Sequence, residues 1–235
     1  MKNSFVKGIT DGIPICLGYF SVAFAFGIFA LSGGLTSLEA ILISMTNVTS
    51  AGQLAAVPIM AAGGTLFELA ASQLIINLRY SLMSVSLSQK FDKSVTLFDR
   101  FIIAFVNTDE VFAVASSKKE VGKAYMYGLI LTPYIGWSAG TAVGALAGSI
   151  LPETVISALG IAIYGMFIAI VVPVAKENRH VLYCVLLAMG LSCMFKFIPL
   201  LSKVPSGFVI IICAVTASAL AALLFPVKQE KEESL

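Results

Sequence analysis

The chain has 235 residues, of which 58% are hydrophobic and only 12% are charged. Soluble domains carry about 25% charged residues, so this chain has too few ionisable side chains to cover a water-exposed surface. Its long unbroken apolar runs also exclude an outer-membrane barrel, whose strands alternate in polarity. With a mean hydropathy of +0.95, the sequence predicts an all-α polytopic protein embedded in the lipid bilayer.

The sequence lacks the residues that nucleic-acid-binding, metal and catalytic sites require. A net charge of +2 without a long Lys or Arg run gives no nucleic-acid-binding surface. The four cysteines lie in apolar segments without CxxC spacing, so we expect small buried side chains rather than disulfides or metal ligands. His180 is the single histidine and cannot form a metal site alone. No nucleophile or phosphate-loop motif is present, and we predict neither an enzyme, a metal site nor a cofactor.

The hydrophobic pattern predicts seven or eight segments in a single transmembrane transport domain covering residues 1–235. Asp11 and Pro14 interrupt a signal-peptide pattern, so the first segment is expected to remain as an uncleaved helix. Most candidate spans approach the ~20 residues that a hydrocarbon core of about 30 Å requires: 13–33, 38–62, 66–88, 123–148, 153–175, 180–198 and 205–226. A charged tail, 227–235, follows the last span.

The remaining segment, 101–116, is shorter and has Asn107, Thr108, Asp109 and Glu110 between two apolar runs. Each carboxylate would cost about 2.5–3.5 kcal/mol at a helix centre in lipid, so we expect both to face protein or water. As a straight helix the segment would reach only about 24 Å, and we favour a broken or re-entrant structure. In the functional interpretation Asp109 or Glu110 exchanges a proton during transport; a surface connector is the alternative.

Whether 101–116 crosses the membrane decides how the halves of the chain are related. The distribution of Lys and Arg does not separate the two topologies, but both place loop 117–123 and the C-terminal tail in the cytoplasm. Similar short motifs near Pro14 and Pro133 suggest a repeat of three-helix units, 9–90 and 120–200. These units would be inverted if 101–116 does not cross, and parallel if it does.

The second span has a polar centre that a straight lipid-facing helix would not tolerate. Its candidate ligand-binding residues are Asn47, Ser50, Gly52 and Gln53. We expect the helix to unwind at residues 50–52, which would free backbone groups to bind a small polar ligand. Hydrogen bonding between helices is the alternative.

The third span adds Gln73, Asn77 and Tyr80 on one helical face. Glu68, near its start, could simply reach the headgroups. Arg79 lies deeper and needs a partner such as Asp109 or Glu110. That contact would be either a structural ion pair or part of a clamp for a substrate carboxylate, which a guanidinium grips well.

The span 123–148 carries small residues at a strict spacing of four, a pattern typical of close helix packing. These residues are Gly136, Gly140, Gly144 and Gly148, and we assign them no chemistry.

Four motifs in order resemble the AzlC family, the large subunit of bacterial branched-chain amino-acid exporters. They are Pro14-x3-Gly18, Ala51-Gly52-Gln53, Asn77-Leu78-Arg79 and 108–113 (TDEVFA). Many members of this family have His after Asn-x-Arg, where this chain has Tyr80. Many also have Ala-Gly-Ala-x-Gln, where this chain has 49–53 (TSAGQ). The absent histidine shifts any proton role toward Asp109 and Glu110.

The resemblance implies export of leucine, isoleucine or valine across the bacterial inner membrane, driven by the proton gradient, together with a small AzlD-like membrane partner. In that scheme the Gly52 backbone and Arg79 bind the substrate carboxylate. Asp109 or Glu110 takes the ammonium or the proton, and Asn47, Gln53 and Asn77 orient the ligand. A channel-like pore and a non-transporting assembly subunit are the alternatives.

Overall fold

A computed structural model describes residues 4–148, 152, 154, 168 and 171–226, and these residues are predominantly α-helical. The all-α polytopic fold is therefore as predicted. A helical stretch at 171–177 precedes α8, and a short 3₁₀ turn, Leu201–Lys203, follows it. The helices are α1 Phe5–Ser32, α2 Ser37–Thr46, α3 Ser50–Ala61, α4 Leu66–Ser88, α5 Leu97–Phe105, α6 Asp109–Ser116, α7 Lys123–Gly148, α8 Arg179–Phe197 and α9 Ser206–Leu224.

Among the described residues, four helices are long and apolar enough to span a membrane, namely α1, α7, α8 and α9. Helix α4 has 23 residues, which at 1.5 Å per residue is also long enough for a hydrocarbon core of about 30 Å. The predicted span 153–175 lies largely outside the described residues.

Helices α1 and α7 pack side by side over their whole length and run in the same direction. Gly8 lies against Tyr125 near the start of α7, whereas Gly27 lies against Thr141 near its end. A Cβ on Gly27 would come within 2.5 Å of the Thr141 carbonyl oxygen. Glycine is therefore required for this approach, because any side chain would separate the two backbones.

Segment 97–116 is a helical hairpin that enters the membrane and returns to the same face. The backbone N–H of Asp92, before α5, donates to the carbonyl of Val121, after α6, at 3.0 Å. Close by, the Lys123 N–H donates to Ser94 Oγ at 3.0 Å. Both ends of this hairpin therefore meet at one membrane face, and the structure shows the predicted broken, re-entrant form. We call 97–116 the second hairpin, because segment 37–61 forms another one earlier in the chain.

Segment 37–61 is also a hairpin, which corrects our expectation that the span 38–62 crosses the membrane. Helices α2 and α3 are separated by 47–49, three residues before the break expected at 50–52. The loop residues Gly33 and Leu35, before α2, share a cavity with Met60 and Ala61 at the end of α3. This first hairpin therefore begins and ends at the membrane face opposite the second one.

The two hairpins change how the halves are related. Because 38–62 returns to its own face, α4 leads the chain back to the face where α1 began, and α7 runs parallel to α1. The expectation that a non-crossing 101–116 would give inverted units fails for these two helices, since it counted 38–62 as a crossing. Much of the 120–200 unit lies outside the described residues, so the full repeat stays a prediction.

One membrane face carries most of the described Lys and Arg residues, and we call it the basic face. Helix α9 begins at the opposite face, where Gly207 bonds Glu68 near the start of α4, so α9 ends on the basic face. The ring of His180 stacks on Phe225, so α8 begins on the basic face too. The described positions on the basic face are Lys7, Lys90, Lys93, Arg100, Lys118, Lys119, Lys123, Lys176 and Arg179, against Lys196 and Lys203 on the opposite face.

Polar contacts fasten the second hairpin at the basic face. Asp99 is almost fully buried and bonds Lys123 Nζ at 2.8 Å, Thr96 at 2.7 Å and Tyr127 at 2.9 Å. The hydrogen bond from Lys123 lowers the pKa of the Asp99 carboxyl below its ordinary value. Asp11 receives similar contacts from Lys118 and Tyr125. These pairs join the ends of the hairpin to α1 and α7.

Candidate functional site

The tips of the two hairpins meet near the middle of the membrane. With 9 and 10 residues, α5 and α2 each extend about 13–15 Å from their faces, roughly half of the hydrocarbon thickness. Between the tips lies a cavity of about 180 Å³, several times the ~30 Å³ that one water occupies. We call it the inner cavity; its lining is Thr46, Asn47, Val48, Thr49, Asn77, Tyr80, Ala104, Phe105, Asn107 and Thr108.

The helix ends at the tips give the inner cavity both signs of partial charge. Helices α3 and α6 begin there, and their N-cap residues, Thr49 and Thr108, make no side-chain capping hydrogen bond. The first N–H groups of α3 are therefore available to an anionic group, whereas the first turn of α6 already carries the carboxylates of Asp109 and Glu110. Helices α2 and α5 end there, so their last carbonyls favour a cation. This arrangement suits a zwitterion.

An ion pair forms beside the inner cavity, where the sequence predicted one. Arg79 Nη2 lies 2.9 Å from Asp109 Oδ2, and the same guanidinium donates to Tyr80 Oη at 3.1 Å. The adjacent carboxylate, Glu110, accepts a hydrogen bond from the Tyr19 hydroxyl of α1. Both acids at the start of α6 are therefore held by side chains from other helices.

The Arg79–Asp109 pair is only partly covered by the residues that the structure describes. The two side chains are 49% and 45% exposed, although they lie at the depth of the hairpin tips. Charges at this depth are costly against lipid and persist where they meet water or protein. Beside α4 and α6 the pair therefore needs further protein or water around it, beyond the described residues that contact it.

Amide side chains connect α4 to the first hairpin. Gln73 donates to the Gly52 carbonyl at 2.9 Å and accepts from Asn77 at 3.3 Å and from Asn47 at 3.4 Å. A Cβ on Gly52 would come within 2.5 Å of Gln73 Oε1, so the glycine permits this contact. Asn47, Gly52 and Asn77, all predicted as site residues, are thus brought together.

Gln53 and Ser50 lie differently. Gln53 is fully buried and donates to Ser44 Oγ at 2.8 Å, and Ser44 in turn bonds Thr141 of α7 at 2.6 Å. This chain of hydrogen bonds ties the first hairpin to α7 and is not part of the cavity lining. Ser50 is the first residue of α3, directly after the tip.

Glu68 does not reach the headgroups. It is only 4% exposed, and its Oε1 accepts the N–H of Gly207 at 2.8 Å. Gly207 is the second residue of α9, so the carboxylate caps the start of that helix. The sequence could not show this, because α9 follows 139 residues later.

Sequence reasoning also missed several residues at the site. Tyr134 of α7 donates to the carbonyl of Met45 at 3.1 Å and supports the first tip. Asn107 and Thr108 were noted only as part of a polar run, yet both are buried in the second tip. The ring of Trp137 packs edge-on against Tyr19. Only Asn107 and Thr108 carried a signal, namely polar residues flanked by apolar runs.

Comparison with known proteins places the chain in a family. A family model described as "AzlC protein" matches residues 14–151. The chain belongs to the AzlC family. Matched residues include both hairpins and the inner cavity between them, so the midplane site lies within the part that defines the family.

Several membrane proteins are similar over most of their length. An uncharacterised membrane protein of Archaeoglobus fulgidus is 36% identical, over 75% of this chain and 78% of its own. The inner membrane protein YgaZ of Escherichia coli is 30% identical, over 79% of this chain and 78% of its own. An uncharacterised membrane protein of Helicobacter pylori is 27% identical over 63% of this chain. No solved structure matches the chain.

Proposed function

We propose that this AzlC-family chain is a secondary exporter of branched-chain amino acids. The inner cavity carries this proposal: two re-entrant hairpins enclose a small polar space at the midplane of an apolar membrane protein. Irregular backbone at this depth is tolerated where it lines a cavity, and transporters use such broken helices to bind substrates. Export, rather than import, and the branched-chain side chain are proposed from the family resemblance alone.

In the proposed complex the uncapped start of α3, near Gly52, binds the substrate carboxylate, since three N–H groups there lack helical partners. The carbonyl ends of α2 and α5 favour the ammonium group. Asn47 and Asn77 orient the ligand through their amides. The apolar side chains of Val48, Ala104 and Phe105 leave room for an aliphatic group but offer no partner for a polar one.

We assign the coupling proton to Asp109, with Glu110 beside it. Asp109 holds Arg79 at 2.9 Å in the structure described. Protonation would remove the charge of the carboxylate and release the guanidinium, which could then grip the substrate carboxylate. Proton binding and substrate binding would thereby be linked through one side chain.

The half-exposed surface beside α4 and α6 also offers a place for a partner subunit to bind. A small membrane subunit of the AzlD kind, packed beside α4 and α6, would cover the half-exposed Arg79–Asp109 pair and remove it from lipid. We place this subunit there because charged side chains at midplane depth need protein or water around them.

We also propose the orientation and location of the chain. Positively charged loops remain in the cytoplasm, so the basic face is the cytoplasmic one, in the inner membrane of a bacterial cell. Ser4 at the start of α1 and Phe225 after α9 lie on that face, which supports the proposal that the C-terminal tail is cytoplasmic.

The test is efflux of leucine and valine from peptide-loaded cells that lack their own exporter and carry this chain with its partner. Arg79→Gln and Asp109→Asn should each lower the efflux rate roughly tenfold or more, since a charge-assisted hydrogen bond contributes about 1.5–3 kcal/mol. Lys119→Gln, an exposed charge on the basic face, is the matched control. Normal efflux by the first two variants at equal protein level would overturn these roles.

An efflux assay with the pH gradient collapsed distinguishes a proton-coupled exporter from a channel-like pore. With a proton ionophore present, coupled efflux should lose its dependence on external pH and stop at equal concentrations inside and outside. A pore would follow the leucine gradient in either condition. Reconstitution of the chain without any other protein tests the alternative of a non-transporting subunit, since active liposomes would exclude that role.

A further inference from the structure

Helix α4 carries a polar stripe that continues past the inner cavity to the basic face. Residues Gln73, Asn77, Tyr80, Ser84 and Ser88 are spaced by three or four, so they lie on one face of the helix. The first three lie at or beside the inner cavity. Other exposed positions on the last turns of α4 are both apolar and polar, for example Leu82 and Ser86, so the stripe is defined by its spacing and by the cavities that it lines.

A second cavity of about 250 Å³ lies along the last part of this stripe, between α4 and α5. We call it the outer cavity. Its walls are mainly apolar, from residues such as Val85, Leu87 and Ile103, with Ser84 and Ser88 on one side. At the end toward the basic face stands the exposed Arg100, whose guanidinium lies 5.5 Å from the centre of the Phe91 ring.

The two cavities share wall residues, Ala104 and Asn107. Between them the Asn107 amide donates to Ser84 Oγ at 3.0 Å. The other polar atom of this amide, Oδ1, is buried and has no hydrogen-bond partner among the residues that the structure describes. A single hydrogen bond, with a net contribution of about 1 kcal/mol, therefore holds the Asn107 side chain across the junction.

We infer that the outer cavity is the access path between the basic face and the inner cavity, and that the Asn107–Ser84 hydrogen bond is its inner barrier. The path takes a small amphipathic carboxylate with an aliphatic side chain. Arg100 attracts the carboxylate at the mouth, the apolar wall accommodates the aliphatic group, and the serines replace water around the polar end. This inference rests on the proposed function for its substrate, while the path itself rests on the geometry.

The test is thiol labelling of the full chain in oriented membrane vesicles, after Ala replaces Cys16, Cys184, Cys193 and Cys213. Ser84→Cys and Ala104→Cys should react with a charged, membrane-impermeant thiol reagent applied at the basic face only. Leu82→Cys is the control, since it lies at similar depth on α4 but is 72% exposed toward the membrane; it should resist the charged reagent. Leucine should slow labelling at both path positions.

A second arm tests the barrier. In an Asn77→Cys background, Asn107→Ala should increase labelling of the inner cavity from the basic face, whereas Lys93→Ala should not. Two results would overturn the path: labelling of Ser84→Cys only by a lipid-soluble reagent, which means that acyl chains fill the outer cavity, or equal labelling from both faces.

Substrate measurements on the unmodified chain keep the two proposals apart. If it exports leucine but leucine gives no protection, the outer cavity is not the substrate path. If the labelling pattern holds but neither transport nor protection is found, the path stands and the substrate class is wrong.

Discussion

At the residue scale, this protein fixes charged groups with neighbours distant in sequence. The sequence named Asp109 or Glu110 as the partner of Arg79, and the structure shows that Arg79 of α4 binds Asp109 while Tyr19 of α1 binds Glu110. Glu68 looked like a headgroup contact, but it caps α9. The types of residue suggested that partners must exist, because unpaired charge is costly in an apolar medium. Which partners they are depends on how the helices pack.

Asp99 gives a prediction on pH at this scale. Its pKa is lowered by Lys123 and by the Thr96 cap, so its stabilising effect is complete above about pH 4, the ordinary range for Asp. The effect is lost as the pH falls through the lowered pKa. At neutral pH, Asp99→Asn should lower the apparent melting temperature of the detergent-solubilised protein by several degrees, and Glu120→Gln should leave it unchanged. The gap between Asp99→Asn and wild type should close in acid; a gap independent of pH would contradict this.

At the element scale, the two interrupted segments behave alike. Each has a short helix, a three-residue break and a second short helix, and each break contains an Asn and a Thr, in 47–49 and 106–108. Such residues readily offer hydrogen bonds outside regular helix. The sequence indicated the break in 101–116 because the segment was too short to span. For 38–62 it also indicated a break, expected at 50–52, but it hid the return to the same face, because 25 mostly apolar residues are also long enough for one crossing.

The glycines of α7 give a prediction on helix packing. A Cβ on Gly144 would overlap the Phe24 backbone, whereas one on Gly148 would meet Ile28 at an ordinary 3.5 Å. Gly144→Ala should therefore destabilise the protein by about 1–3 kcal/mol through overpacking, measured by thermal or denaturant unfolding in detergent. Gly148→Ala is the matched control and should be neutral or slightly stabilising, since Ala favours helix. Equal effects of both would show that α1 and α7 are not closely packed at Gly144.

At the scale of the whole molecule, the topology follows from both hairpins together. Charge counting could not choose a side, because counting 38–62 as a crossing put loop 89–96 and the start of α1 on opposite faces in both topologies. With two non-crossing segments, the basic residues of loops 89–96 and 117–122 join those at the start of α1. The asymmetry becomes clear, with nine described basic residues on one face and two on the other.

This topology can be tested directly with single cysteines. Lys93→Cys and Lys119→Cys should both react with an impermeant reagent from the basic face, and Ala62→Cys, at the exposed end of the first hairpin, only from the opposite face. Each position lies in a loop outside the helices, so labelling should not depend on transport. Labelling of residues 93 and 119 from different sides would show that the second hairpin crosses.

The sequence by itself determined the class of the protein, its family and most of the polar residues at its centre. Hydropathy and charge content decide whether a chain is stable in the lipid bilayer, and both are properties of composition. The tertiary structure alone decided that segment 38–62 turns back, that α1 and α7 run parallel, and that Gln53 and Glu68 serve packing rather than the cavity. For segment 101–116 both the sequence and the tertiary structure were needed. Its length and its acids marked it as unusual in the sequence, and the contacts of its two ends in the structure showed that it returns to its own face. The physical reason is that direction and pairing depend on contacts between residues far apart in the chain, which no local pattern records.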